Sequence, residues 1–259
     1  MNKLVNKLVL LNCRPNQPVD SAPLVVHPRC QLLDRASSRH TYRPHDSSLA
    51  PVTGNLYVLE GPDGVGKTTL AECMHAYLDQ HGIAHVSCSF PGCEKGTLGE
   101  LAYRLYHRPS EFGISSLGVI AEQVMMTSAH ADVIERRIRS AISEGKHVVL
   151  DRYWWSTWVY SKAKGLDAKI LDQLIELELS IWGEIKPAVV FLVRRDWSEH
   201  SKQEFGFWSR LVSLYDEIGT REASRVRVLE VDNRGRLDKA TRTIMASVNA
   251  SLCIQSREQ

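Results

Sequence analysis

The chain lacks a long apolar run. No stretch approaches the roughly 20 residues that a membrane span requires, so no spanning helix is expected. It lacks any CxxC pair: its six cysteines are scattered, with no histidines at zinc-site spacing. That favours free thiols in a reducing compartment over a disulfide framework or a zinc centre. It lacks a dominant charge, since 32 Lys+Arg face 30 Asp+Glu for a formal net charge of +2. Such a balance gives no general footprint for nucleic acid or an anionic membrane. The apolar start MNKLVNKLVLLNC is broken by Lys7 and followed by no clean cleavage site, so no signal peptide is expected and the expected location is cytoplasmic. Aromatic residues are scarce, at 7%. Their crowding just after residue 152 is therefore informative.

What is present divides near residue 53. Residues 1–52 hold six of the ten prolines and carry seven Lys/Arg against three Asp/Glu. Few apolar positions recur there, too few to offset the entropy of ordering the segment. The expectation is a flexible, proline-rich basic arm over 1–52, or a start assigned too early, ahead of one domain over 53–259. Within that domain strand and helix patterns alternate. NLYVLE, AHVSCSF, HVVL, PAVVFLV and RVRVLEV read as five short strands, with helices between them. A long helix is expected from about Ser116 to Glu144. Leu117, Ile120, Val124, Ser128, Ala131, Ile134, Ile138 and Ile142 form its expected core stripe. Short continuous apolar strands separated by helices indicate an α/β fold: a three-layer sandwich with a five-stranded parallel sheet covered by helices on both faces.

The first strand runs into Gly61-Pro-Asp63-Gly64-Val65-Gly66-Lys67-Thr68-Thr69, and a helix follows. This satisfies G-x-x-x-x-G-K-[ST] in the right context. Glycines let several backbone N–H groups turn inward on a phosphate, and the helix N-terminus adds partial positive charge. Lys67 is expected at the β- and γ-phosphates of ATP, with the Thr68 hydroxyl on Mg²⁺. The motif binds a nucleoside triphosphate without saying where the phosphate goes. No Asn-Lys-x-Asp guanine reader is present, and the third strand ends in Asp-Arg rather than the Asp-Glu frequent in hydrolytic ATPases.

Asp151 and Arg152 close the strand HVVL, at the end where open parallel sheets bind ligands. A carboxylate there can hold Mg²⁺. A guanidinium can span phosphate oxygens in flight. Adjacent strand residues point to opposite faces, so an ion pair between these two is not expected.

The phosphate loop with Asp63, joined to Asp151-Arg152-Tyr153-x-x-Ser156, resembles the thymidylate kinase family of nucleoside monophosphate kinases. FPGCEKGTLGELAYRLY and SKAKGLD are similar too, and the resemblance spans about residues 54–255. It implies transfer of the γ-phosphoryl group of ATP to a deoxynucleoside monophosphate, usually dTMP. It implies Asp63 near the acceptor, Asp151 and Arg152 orienting metal and phosphates, and Phe90, Pro91 and Ser156 lining the acceptor pocket. Trp154, Trp155 and Trp158 either wall that cleft against water or simply pack, bringing about 150–250 Å² of burial each. Many relatives are dimers through helix packing, so a homodimer is allowed.

The sequence departs from the family at four places. Gly64 stands where many members carry a loop arginine. The positions of the thymine-reading aromatic and arginine fall near Thr127 and Ala131, with Gln123 and His130 the nearby hydrogen-bonding candidates. Lys95 follows Phe90-Pro91 where an arginine is frequent, and it is a point charge without a planar fork. The lid segment is short, and Arg194, Arg195 and Lys202 are its available cations. A kinase of the same fold for another small acceptor, such as a deoxynucleoside or modified nucleotide, therefore stays open. So does a non-catalytic nucleotide-binding regulatory module.

Overall fold

A computed structural model of the chain describes residues 53–255 apart from 93 and 199–202. The expected arm over 1–52 and the lid candidate Lys202 lie outside the described residues.

Five strands form one parallel sheet: β1 Leu56–Glu60, β2 His85–Ser89, β3 His147–Asp151, β4 Pro187–Arg194 and β5 Val228–Asp232. Their order is β2-β3-β1-β4-β5. The three central strands, β3, β1 and β4, alternate their side chains between two cores. Leu56 and Val58 of β1 join Val148, Leu150, Val190 and Leu192 on one face, under the three tryptophans. Tyr57 and Leu59 join Val149, Val189, Phe191 and Val193 on the other. Both faces are apolar because both are covered, as a parallel sheet requires.

Helices α1 Lys67–Gln80 and α8 Leu237–Gln255 cover the second face. The first is covered by α3 Val119–Val133, which continues through a π-helical segment at Ile134–Ile138 into α4 Arg139–Ser143, and by α5 Trp154–Ala163, α6 Ala168–Trp182 and α7 Phe205–Glu222. A further helix, α2 Leu98–His107, lies beside α3. No helix among the described residues is long and apolar enough to cross a membrane.

The expected stripe on the long helix needs correction over its first half. Ile120 and Val124 are each 47% exposed, and Ser128 is exposed as well. The buried positions are Gln123, Thr127, Ala129 and His130, followed by Val133 and Ile134. Periodicity identified the helix but not the side that faces inward. The first half turns a largely polar face inward, against α2, α5 and α6, and only the second half meets the sheet.

Candidate active site

Register brings the two sequence motifs together. Leu59 of β1 is aligned with Asp151 of β3, and the Arg152 N–H donates to the Leu59 carbonyl at 3.0 Å. The chain leaving β1 and the chain leaving β3 therefore start side by side, at the carboxyl edge of the sheet where such folds bind ligands.

Leaving β1, the loop from Gly61 curls into the start of α1. Gly66 has φ +96° and caps that helix. A Cβ there would lie 2.5 Å from Asn233 Nδ2, which donates to the Val65 carbonyl at 2.7 Å and braces the loop from the end of β5. Only glycine meets both demands. Lys67 is buried, and its Nζ donates to the carbonyls of Gly61 and Pro62, each at 2.8 Å. Burial lowers its pKa to about 8; Arg152 adds to that, while Asp151, Asp63 and Glu60 oppose it. Val65 lies in the core, whereas Gly64, Thr68 and Thr69 are at the surface.

Across the loop, the Thr68 hydroxyl donates to Asp151 Oδ2 at 2.6 Å. The other oxygen, Asp151 Oδ1, is buried and has no hydrogen-bond partner. A threonine hydroxyl and an orphan carboxylate oxygen form a hard-oxygen corner that suits Mg²⁺, which keeps most of its ligands as water and phosphate. Among the described residues no group of three or more His, Cys, Asp or Glu could hold a metal by itself.

Arg152 has φ +77°, the left-handed region that a side chain rarely adopts. From that turn its guanidinium reaches back to the phosphate loop and forms an ion pair with Asp63. Nη1 donates to Ser156 Oγ at 3.0 Å, and the group lies 5.6 Å from the centre of the Tyr160 ring. Burial opposes its charge, but Asp63, Tyr160, Tyr215 and Asp151 outweigh that and hold it protonated. The Asp63 N–H donates to Tyr160 Oη at 3.2 Å, and Gln203 Nε2 donates to Asp63 Oδ2 at 3.2 Å. Lys67, Asp63, Thr68, Asp151 and Arg152 thus form one constellation drawn from two strands about ninety positions apart.

A family model described as thymidylate kinase matches residues 59–203. The chain belongs to the thymidylate kinase family. It is 37% identical over 183 residues to a thymidylate kinase of Symbiobacterium thermophilum, covering 66% of this chain and 82% of that one. It is 34% identical over 121 residues to a probable thymidylate kinase of Pyrococcus horikoshii, covering 47% and 58% respectively. The fold resembles the crystal structure of thymidylate kinase from Ehrlichia chaffeensis with a TM-score of 0.59 at 19% identity, over 76% of this chain and 99% of that one.

The residues that family resemblance assigns to the acceptor are less uniform. Phe90 precedes a cis bond to Pro91, and its ring stacks on His130 with centroids 4.0 Å apart and planes inclined by 10°. His130 Nδ1 lies 2.7 Å from Glu178 Oε1 of α6, and both side chains are buried. Thr127 and Gln123 lie one and two turns before His130 on the same inward face, and Thr127 Oγ1 is buried without a partner. Lys95 is exposed on the loop before α2.

Two expectations fail on burial and pairing. Trp155 is fully buried, as Trp154 and Trp158 nearly are, in the core between the sheet and the helices. It has no open face for an acceptor base; the aromatic crowding is packing. Arg194 is the last residue of β4 and is tied to Asp216 and Glu230, so it does not belong to a lid. Arg195 is exposed beside it. Ser156, expected beside the acceptor, is engaged with Arg152 and with Glu60.

Glu60, Tyr160, Tyr215 and Glu178, the partner of the His130 candidate, escaped the sequence reading. Only Glu60 left a signal: a lone acid closing an otherwise apolar strand whose burial is complete.

Proposed function

We propose that residues 53–259 transfer the γ-phosphoryl group of ATP to a nucleoside monophosphate, with dTMP as the acceptor. The observation that carries this reading is the reach of Arg152 from the end of β3 to Asp63 of the phosphate loop. That reach supports a role for the guanidinium in stabilising the charge that spreads on a transferring phosphoryl group. Stabilising that charge and holding the partners in line make up most of what such a transfer needs. No covalent nucleophile is required.

The residues divide the work by chemistry. Backbone N–H groups of the loop and the start of α1 hold the phosphates. Lys67, charged below about pH 8, exchanges its two carbonyl contacts for phosphate oxygens. Thr68 Oγ1 and Asp151 would hold Mg²⁺, which when bound neutralises charge on the β- and γ-phosphates. Asp63 and Arg152 face the acceptor side of the loop.

The His130–Glu178 pair against Phe90 supports a second reading, in which the acceptor carries a different base or none at all. Neither Thr127 nor Ala131 can stack on thymine or make a bidentate bond to it. His130 can do one or the other only by leaving Phe90 or Glu178.

A coupled assay with ATP and Mg²⁺ against dTMP, other monophosphates and deoxynucleosides separates the readings. Turnover with dTMP well above every other acceptor supports the first. Turnover with another acceptor alone supports the second. Tight ATP binding without any turnover means that the chain is a nucleotide-binding module and not a kinase.

A further inference from the structure

Glu60 is the last residue of β1 and is completely buried. Five donors surround its carboxylate. Oε1 accepts from the N–H groups of Tyr153 at 2.7 Å and Ser156 at 3.0 Å. Oε2 accepts from Ser156 Oγ at 2.8 Å, Tyr215 Oη at 3.1 Å and the Gly61 N–H at 3.3 Å. A carboxyl group in the core of a sheet carries a large desolvation penalty unless its lone pairs are filled. Here they are filled from three directions: the first residue of the phosphate loop, the start of α5 and the middle of α7.

The pattern has a consequence for Arg152. Helix α5 begins with no side-chain cap of its own, and a helix start leaves N–H groups unpaired. Glu60 supplies the missing acceptor from another strand. It thereby pins Tyr153 and Ser156, one and four residues past Arg152, and the left-handed turn at Arg152 must be held by its surroundings to persist. The Ser156 hydroxyl has a single proton. Its donation to Glu60 leaves its lone pairs for Arg152 Nη1, at 3.0 Å. The acid thus orients the serine, and the serine orients one edge of the guanidinium while Asp63 takes the other. Burial raises the Glu60 pKa, while Arg152, Lys67, the Ser156 hydroxyl and the Tyr153 N–H act against that rise.

We propose that Glu60 is a positioning residue for phosphoryl transfer: it clamps the phosphate loop to the Arg152 turn and sets the guanidinium through Ser156. The inference rests on the kinase reading for its catalytic consequence, but the clamp can be measured without turnover.

The test compares wild type, Glu60→Gln, Ser156→Ala and the double variant in the full-length chain. Glu60→Gln keeps the volume but turns one acceptor oxygen into a donor, aimed at two N–H groups or at the cluster of hydroxyls. The first readout is hydrogen exchange. Amides over 152–158 are expected to exchange at least tenfold faster in Glu60→Gln, with β4 unchanged. Unaltered protection over 152–158 overturns the clamp. The second readout is turnover per folded site, with ATP and whichever acceptor the wild type uses. kcat is expected to fall about 10- to 100-fold in Glu60→Gln, the scale of a misplaced catalytic group, with both KM values within about threefold. A merely structural role would lower the folded fraction and leave kcat per folded site alone. In the double variant the losses should be less than additive, because both act on the same contact. Additive losses, or an unchanged kcat, overturn the route through Ser156. If Glu60→Gln does not fold, Ser156→Ala carries the kinetic arm by the same criteria. A wild type without turnover removes the kinase reading, and hydrogen exchange still decides the clamp.

Discussion

Arg152→Gly separates charge from backbone at the centre of the site. Arg152 sits at φ +77°, where a side chain costs roughly 1–2 kcal/mol and glycine costs nothing sterically. Removing the side chain relieves that strain. It also removes the pair with Asp63, whose side chain is 45% exposed, so the pair contributes no more than about 1 kcal/mol. The extra freedom of glycine in the unfolded chain costs another 0.5–1 kcal/mol or so. The lost bond to Ser156 and contact with Tyr160 add roughly 1 kcal/mol, so these terms cancel in part and the expected change in Tm is under about 6 °C. Activity should not cancel. Losing a guanidinium that stabilises the transferring phosphoryl group costs about a thousandfold in kcat, or roughly 4 kcal/mol of barrier. Steady-state kinetics beside calorimetry on the same preparation measures both. Near-normal kcat would remove Arg152 from the mechanism. A Tm loss above about 10 °C would mean that the side chain holds the fold, and the argument from strain would fail.

Trp155→Ala should do the reverse: lose about 3–5 kcal/mol of stability, roughly 6–20 °C in Tm, while the acceptor KM of the folded fraction stays within about twofold. A tenfold rise in that KM at unchanged Tm would return Trp155 to the acceptor site. Lys67 carries its proton below about pH 8, so kcat/KM for ATP, which reports the free enzyme, should fall as pH rises through about 8. A profile flat to pH 10 would contradict the burial that lowers the group. Lys67→Ala should cost about a thousandfold in kcat at pH 7. Deleting residues 1–50 should leave Tm and kcat unchanged, since residues 53–255 already bury both faces of the sheet. A large Tm drop on truncation would show that the arm docks on the domain.

The exposed apolar side chains Leu98, Leu101, Ile120 and Val124 on α2 and α3 were hidden from a sequence reading for a definite reason. The three- and four-residue recurrence of Ile120, Val124 and Ser128 marks a helix face, not its direction. The same recurrence further along, at Ile134 and Ile138, does mark the core, because there the helix meets the sheet. The tryptophans stayed ambiguous for a related reason. A cluster of large side chains after a catalytic strand reads equally as a cleft wall or as packing, and only accessibility separates the two. Trp155 has none.

The sequence alone determined the periodicity of strands and helices, and hence a covered parallel sheet, because apolar burial on both faces leaves that pattern in the chain. It also determined the phosphate loop, since curling backbone around an anion demands glycines and a lysine at fixed spacing. Tertiary structure decided what lies between segments distant along the chain: Arg152 against Asp63, Glu60 beneath Ser156, His130 on Phe90 and Glu178. Those contacts depend on strand order and helix rotation. Both follow from the packing of the whole domain, so no local stretch of sequence encodes them.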